Sequence, residues 1–165
     1  MKHLWSPWRM KYIRRKRTPG GCVFCDAISI NDDDSSMVVQ RGEFAYVILN
    51  KYPYTSGHVL VVPYAHIDSF GQLNPRAYSE IMLLIDQCIQ TIDRVYQPDG
   101  YNLGANLGKV AGAGIADHIH FHIVPRWDGD TNYMTAVGNT RVLPEDLSAT
   151  HNKLRSAWPG KGKSA

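Results

Sequence analysis

The sequence DHIHFHIVPR at residues 117–126 decides the fold of this chain, because polar and apolar residues alternate along it. Successive side chains of a β-strand point to opposite faces of a sheet. The alternation therefore predicts a strand with one apolar face on the core and a second face that carries His118, His120 and His122. Imidazole ionises near neutral pH and can act as acid, base, nucleophile or metal ligand. The row predicts a chemical site on one face of a sheet.

The spacing along such a strand limits that chemistry. Alternate side chains are about 6.6 Å apart, so the outer two histidines are about 13 Å apart. One zinc ion, with Zn–N bonds of about 2 Å, is held more readily by two of these side chains than by all three. An extended, polyanionic substrate lying along the row fits the spacing better. A strand whose polar face has no chemical role is the alternative.

The rest of the chain predicts an α+β domain: an antiparallel sheet with a long helix packed on one face and a C-terminal helix. Asn74 and Pro75 suit the N-cap and first position of the long helix, and Pro98 follows its end. A C-terminal helix is predicted to start at residues 144–145. Further strands are predicted at residues 38–39, 44–49, 58–62 and 101–107. The predicted apolar stripe of the long helix is Tyr78, Ile81, Met82, Ile85, Ile89, Ile92 and Tyr96.

The length of 165 residues is sufficient for one domain with a buried core. We expect an N-terminal arm at residues 1–20, a catalytic domain at residues 21–142, and a C-terminal helix with a flexible tail at residues 143–165. The acidic run at residues 32–34 predicts a solvated loop. The basic run at residues 11–17 does not by itself indicate nucleic acid, which is not an expected partner.

The cysteines and the apolar pattern predict a compartment. No run approaches the 18 apolar residues of a membrane span, so no membrane partner is expected. The N-terminus lacks the apolar core of a signal peptide. Three cysteines make an odd number, which argues against a disulfide framework and favours a reducing environment. We therefore expect a cytoplasmic protein.

Cys22 and Cys25 have the C-x₂-C spacing with which two thiolates bind one zinc ion. Two ligands are too few for a structural site, and the sequence has no second pair of this kind. His66 and His118 are the candidates to complete it. A redox pair of cysteines is the alternative.

A glycine-rich segment at residues 104–114 leads into the histidine row. Glycine lets backbone N–H groups approach phosphate oxygens closely, although neither GxxxxGK[ST] nor GxGxxG is present. A flexible hairpin loop is the alternative, but the neighbouring histidines favour phosphate binding. The candidate phosphate-binding residues are Asn106, Lys109, Gly112, Gly114 and Arg126.

These motifs together resemble the histidine triad (HIT) superfamily, whose pattern His-φ-His-φ-His-φ-φ is matched by HIHFHIV. The resemblance spans about residues 22–127. The segments LWSPWRMKYI and LNKYPYTSGHVLVVP are similar to the bacterial branch of diadenosine tetraphosphate hydrolases and phosphorylases. The resemblance implies an α+β fold, a homodimer, and an enzyme that cleaves or transfers nucleoside monophosphate groups without a catalytic metal.

The resemblance also implies roles for individual residues. His120 is similar to the nucleophile that attacks the α-phosphorus and becomes nucleotidylated. His122 and His58 would hold phosphate oxygens, and Asn50 matches a ribose-contacting position. His118 would orient the nucleophile or bind the structural zinc.

Position 114 departs from many hydrolases of the family, which carry glutamine four residues before the first histidine. Gly114 resembles the phosphorylases instead, in which inorganic phosphate, and not water, resolves the intermediate. Phosphate is therefore the favoured acceptor. The alternatives are hydrolysis of the same substrates or of adenylated amines, a zinc-dependent hydrolase using His118 and His120, and a non-catalytic nucleotide-binding protein.

Overall fold

The computed structural model describes residues 21–131 and 145–160. Five strands form one antiparallel sheet in the order β1-β2-β3-β5-β4. The strands are β1 (Val38–Arg41), β2 (Ala45–Leu49), β3 (Val59–Pro63), β4 (Gly100–Gly104) and β5 (Phe121–Arg126). The helices of the described residues are α1 (Val23–Ser29), α2 (Asp33–Ser36), α3 (Pro75–Tyr96) and α4 (Leu147–Ala157). The α+β prediction is confirmed, and none of these helices is long and apolar enough to cross a membrane.

The histidine row enters the sheet later than the sequence predicts. Pairing of β5 with β3 begins at Phe121, so His118 and His120 lie in the segment before the first paired residue. The predicted alternation nevertheless holds, because Ile119 and Ile123 are buried in the core on the α3 side. The sheet places His122 opposite Leu60 of β3, on the other face. Phe24 and Ala27 of α1 pack on this second face.

The long helix begins as predicted, with the Asn74 side chain accepting a hydrogen bond from the Ala77 N–H group at 2.8 Å. Its buried face matches the predicted stripe in part, since Ile81, Ile85 and Ile92 are buried. Tyr78 and Met82 are exposed, whereas Cys88 and Thr91 are buried. The reason is that α3 packs against β2, β3 and β5 and also against α4. The positions of these neighbours, and not the apolar residues of the helix alone, decide which of its side chains are buried.

Three predicted elements differ from the structure: the acidic run, the start of the C-terminal helix and the end of one strand. The acidic run is not a solvated loop: Asp32 caps α2 by accepting hydrogen bonds from the Asp34 and Ser35 N–H groups. The C-terminal helix begins at Leu147 behind the N-cap Asp146, later than residues 144–145. The strand predicted at residues 101–107 ends at Gly104, because a loop with a short 3₁₀ turn follows.

The C-terminal helix is part of the core. Leu154 and Trp158 are buried with the residues of α3 and the sheet. His151 donates its Nε2–H to the Val38 carbonyl of β1 at 2.9 Å. The predicted N-terminal arm, the boundary at residues 142–143 and the flexible tail lie outside the described residues.

Candidate active site

The position of the ring of His120 is set by the backbone of the same segment. Its Nδ1 lies 2.9 Å from the His118 carbonyl oxygen. Because a carbonyl only accepts, Nδ1 must carry the proton, and the lone pair of the neutral ring is then on Nε2. Burial lowers the pKa of His120, which keeps the neutral ring at pH 7. The arrangement presents a nucleophilic nitrogen.

A second chain of hydrogen bonds joins β3 to β5 beside this ring. The Tyr54 N–H group donates to His58 Nδ1 at 3.1 Å, so the proton of the neutral His58 ring is on Nε2. His58 Nε2 lies 3.0 Å from His122 Nδ1 and donates to it. The Nε2 of a neutral His122 ring then carries its proton and is a donor. The ring centroids of His120 and His122 are 5.0 Å apart, so nucleophile and donor are adjacent.

The four predicted zinc ligands meet in one cluster. Cys22 Sγ lies 3.3 Å from His118 Nδ1, Cys25 Sγ lies 3.7 Å from the same atom, and Cys25 Sγ lies 3.3 Å from His66 Nδ1. All four ligand atoms are within 4.8 Å of one another. A tetrahedral zinc ion with sulfur and nitrogen ligands separates such atoms by about 3.6 Å. The donor set therefore fits zinc after small side-chain movements.

His118 faces this cluster and not the row of histidines. Its Nε2–H donates to the Pro63 carbonyl at 2.9 Å, which leaves the Nδ1 lone pair directed at the two sulfurs. Burial lowers the pKa of His118 and so favours the neutral ring that a metal requires. His118 and His120 therefore do not face a common metal position, which argues against the zinc-dependent hydrolase. In the described part of the chain, the only group of three or more metal-binding side chains is the Cys22, Cys25, His66 and His118 cluster.

The predicted substrate-binding residues are not all brought together. Asn50 lies beside His58, with its Nδ2 atom 3.4 Å from His58 Nδ1. Arg126 lies about 13 Å along β5 from His122 and is committed to an ion pair with Asp130 at 2.5 Å. The structure thus does not place Arg126 among the histidines. Lys109, Gly112 and Gly114 are exposed and Asn106 is half-buried, all in the loop between β4 and β5.

Two residues of the site escaped the sequence analysis. Phe24 packs against both rings of the segment before β5, at centroid distances of 5.4 Å to His118 and 4.9 Å to His120. Its place between the two cysteines was the available signal. Tyr54 supplies the N–H group that fixes the His58 ring, and its own ring stacks on His122 at an interplanar angle of 10°. No sequence pattern indicates a backbone donor of this kind.

Comparison with known proteins gives consistent matches. The HIT domain model matches residues 31–129. The AP-4-A phosphorylase of Mycobacterium tuberculosis is 37% identical over 166 residues, covering 96% of this chain and 85% of that protein. The adenosine 5'-monophosphoramidase hnt1 of Schizosaccharomyces pombe is 24% identical over 82% of this chain and 96% of its own length. The crystal structure of a Zn-bound histidine triad family protein from Mycobacterium smegmatis has a TM-score of 0.66 and 27% identity, covering 83% of this chain and 92% of that chain.

Proposed function

Because the chain belongs to the HIT domain family and is a nucleotide phosphorylase or hydrolase, we propose that it cleaves diadenosine tetraphosphate. The proposed reaction forms a nucleotidyl-His120 intermediate, and inorganic phosphate is its favoured acceptor. The observation that carries the proposal is the hydrogen bond of His120 Nδ1 to the His118 carbonyl, which leaves the Nε2 lone pair for attack. The similarity to the AP-4-A phosphorylase supports the substrate class.

The proposed reaction has two displacements. In the first, His120 Nε2 forms a bond to the α-phosphorus, the bond from that phosphorus to the bridging oxygen breaks, and ATP leaves. In the second, an oxygen of inorganic phosphate attacks the same phosphorus, the P–N bond breaks, and ADP is released with the neutral ring restored. Dividing one displacement into two lowers the barrier of each step. The His118 carbonyl stabilises the positive charge that the nucleotidylated ring carries between the two steps.

Neighbouring side chains stabilise the charge that develops on phosphorus. His122 donates from Nε2 to a phosphate oxygen, and His58 fixes the His122 ring in the required tautomer. We propose that Asn50, beside His58, contacts the ribose. In these steps the His122 proton donor would neutralise the charge that metal ions neutralise in kinases and GTPases.

The acceptor is tested by product analysis. We expect diadenosine tetraphosphate plus phosphate to give ADP and ATP at a rate that rises and saturates with phosphate concentration. The physical reason is that Gly114 is exposed and has no side chain, which leaves space for a phosphate anion beside it, whereas the N–H groups of Ala111, Gly112 and Ala113 already donate within the loop. Separation and mass analysis of the products, with and without phosphate, is the measurement. AMP formation at a rate indifferent to phosphate would show that water is the acceptor.

Substitution of the glycine gives the matched comparison. Gly114→Gln should shift the products from ADP towards AMP, because the amide occupies the space of the incoming phosphate. Gly71→Gln is the control, since a Cβ atom at this exposed position has no neighbour within 4 Å. An unchanged product ratio in Gly114→Gln would remove Gly114 from the acceptor site.

A second candidate reaction is the cleavage of adenylated amines with water as acceptor. The similarity to the adenosine 5'-monophosphoramidase favours it, and it uses the same covalent step at His120. Comparison of kcat/KM for adenosine 5'-monophosphoramidate and for diadenosine tetraphosphate with phosphate distinguishes the two reactions.

We also propose that the Cys22, Cys25, His66 and His118 cluster binds a structural zinc ion. Two thiols and two imidazoles form one of the common structural zinc sets. The similarity to the Zn-bound histidine triad family protein from Mycobacterium smegmatis supports the metal. Free thiols of this kind fit a reducing compartment, in keeping with a cytoplasmic enzyme.

The proposed partner in solution is a second copy of the chain. β4 is the last strand in the sheet order, and Leu103 on it is 52% exposed. Tyr78 and Met82 add apolar area on the adjacent surface of α3. We expect Leu103→Asp to convert a dimer into a monomer, measured by light scattering after size exclusion. Leu83→Asp is the control, because Leu83 is 63% exposed near Phe44, on the other side of the helix. A monomeric wild type would contradict the dimer.

A further inference from the structure

We propose that Cys22, Cys25 and His66 are positioning residues for the nucleophile, because the metal ion that they bind together with His118 fixes the carbonyl group to which His120 is hydrogen-bonded. The inference rests on the proposed function in one respect, since it takes His120 as the nucleophile. It adds a catalytic consequence to a metal site whose evident role is structural.

The His118 carbonyl lies outside the paired residues of the sheet. The segment with His118 and His120 precedes Phe121, where the pairing of β5 begins. Two further contacts hold the segment, one with the last residue of β3 and one with the chain that follows β3. The Ile119 N–H group donates to the Ile67 carbonyl at 2.6 Å, and His118 Nε2 donates to the Pro63 carbonyl at 2.9 Å.

The metal cluster spans the same two segments of the chain. His66 directly precedes Ile67, and His118 directly precedes Ile119. One ion bound by both histidines would therefore tie together the two segments that the Ile67–Ile119 hydrogen bond joins. The cysteines supply the third attachment, from α1. Phe24, between them, contacts the rings of both His118 and His120.

His118 links the metal cluster to the reacting nitrogen of His120. A zinc ion bound there would hold the ring of His118, and the ring would restrain the backbone of the same residue, whose carbonyl accepts the hydrogen bond from His120 Nδ1–H. If the carbonyl moves, the His120 ring loses the partner that selects its tautomer, and the lone pair is no longer confined to Nε2. His122 and His58 remain joined to each other. Loss of the metal should therefore lower kcat and leave KM nearly unchanged.

The test uses the full-length protein and two variants that remove one ligand each, Cys25→Ser and His66→Ala. His66 is exposed, so its removal opens no cavity in the core. Metal content, the ¹⁵N spectrum of the histidine rings, kcat and KM are measured for each. We expect loss of bound zinc, a mixture of His120 tautomers where the wild type has the Nδ1–H form, and a kcat about 10-fold lower. His66→Cys restores a ligand and should restore all three properties.

Tyr46→Phe is the matched control for a weaker attachment of α1 that leaves all four metal ligands in place. Its hydroxyl donates to the Phe24 carbonyl at 2.9 Å, so the substitution weakens the attachment of α1 without removing a metal ligand. We expect it to keep the zinc, the His120 tautomer and kcat. Zinc-free variants with an unchanged His120 spectrum would overturn the positioning role, and so would a wild type that takes up no zinc. The ¹⁵N spectrum of His120 is recorded without substrate, so it tests the positioning role independently of the proposed reaction. Failure of the proposed reaction would appear separately, as an absence of cleavage by the wild type.

Discussion

Replacement of His120 by alanine is expected to lower kcat for diadenosine tetraphosphate by at least about 10³-fold. In the proposed reaction this residue supplies the bond-forming nitrogen, and we expect that the neighbouring rings cannot replace it. His118 is directed at the cysteines, and His122 Nδ1 accepts from His58. Single-turnover kinetics measure the rate, and a quench at alkaline pH preserves the acid-labile P–N bond for peptide mapping. The nucleotidyl group should be found on His120 in the wild type.

His122→Ala is the comparison, since it removes a proton donor and leaves the nucleophile in place. We expect a loss of about 10²-fold and an adduct still on His120. Thermal unfolding of both variants controls for the fold, because the His120 ring is only 6% exposed and packs on Phe24. An adduct on His118 or His122, or full activity of a folded His120→Ala protein, would refute the assignment.

Removal of zinc is expected to lower the melting temperature by about 10 °C. A ligand that binds only the folded state at a thousand times its Kd stabilises it by about 4 kcal/mol, and each kcal/mol shifts Tm by roughly 2–4 °C in a chain of this length. The stabilisation arises because the cluster joins α1, the segment after β3 and the segment before β5. Differential scanning calorimetry with and without a chelator, on protein of known zinc content, measures the shift.

The control for chelation is the Cys22→Ser/Cys25→Ser protein, whose Tm should not respond to the chelator. A zinc content below about half an equivalent in carefully purified wild type would count against the site. So would a chelator-induced shift of the same size in the double variant, because that shift would not come from the cluster.

The candidate site was partly predictable from the sequence, because its residues have short-range signatures. Spacing alone indicated the Cys22 and Cys25 pair, and alternation indicated His118, His120 and His122. The sequence indicated two roles for His118, in the row of histidines and as a zinc ligand, and could not show that its ring would face the cysteines. That orientation follows from the Pro63 carbonyl, a backbone acceptor 55 residues away that any amino acid could supply. Arg126 was misjudged for a related reason, since its charge is compensated by Asp130 only after the chain turns back.

The sheet and the long helix were predictable for a different reason. Strand alternation and the Asn74 cap depend on neighbouring residues, so they appear in the sequence directly. The helix face buried against the sheet depends on how α3 crosses three strands, and Tyr78 and Met82 were therefore placed in the core wrongly. The short helices α1 and α2 were missed, because α1 coincides with the metal-binding motif and α2 with the acidic run.

The alternation along the segment entering β5 has a consequence for how this protein can change length during evolution. Deletion of one residue between His118 and Ile123 would exchange the two faces, burying imidazoles under α3 and exposing isoleucines beside the substrate. We expect such a deletion to inactivate and to destabilise the protein. The exposed part of the loop, at residues 107–112, has no such constraint. Insertions that alter acceptor choice should therefore accumulate in the loop, while the histidine segment retains its length.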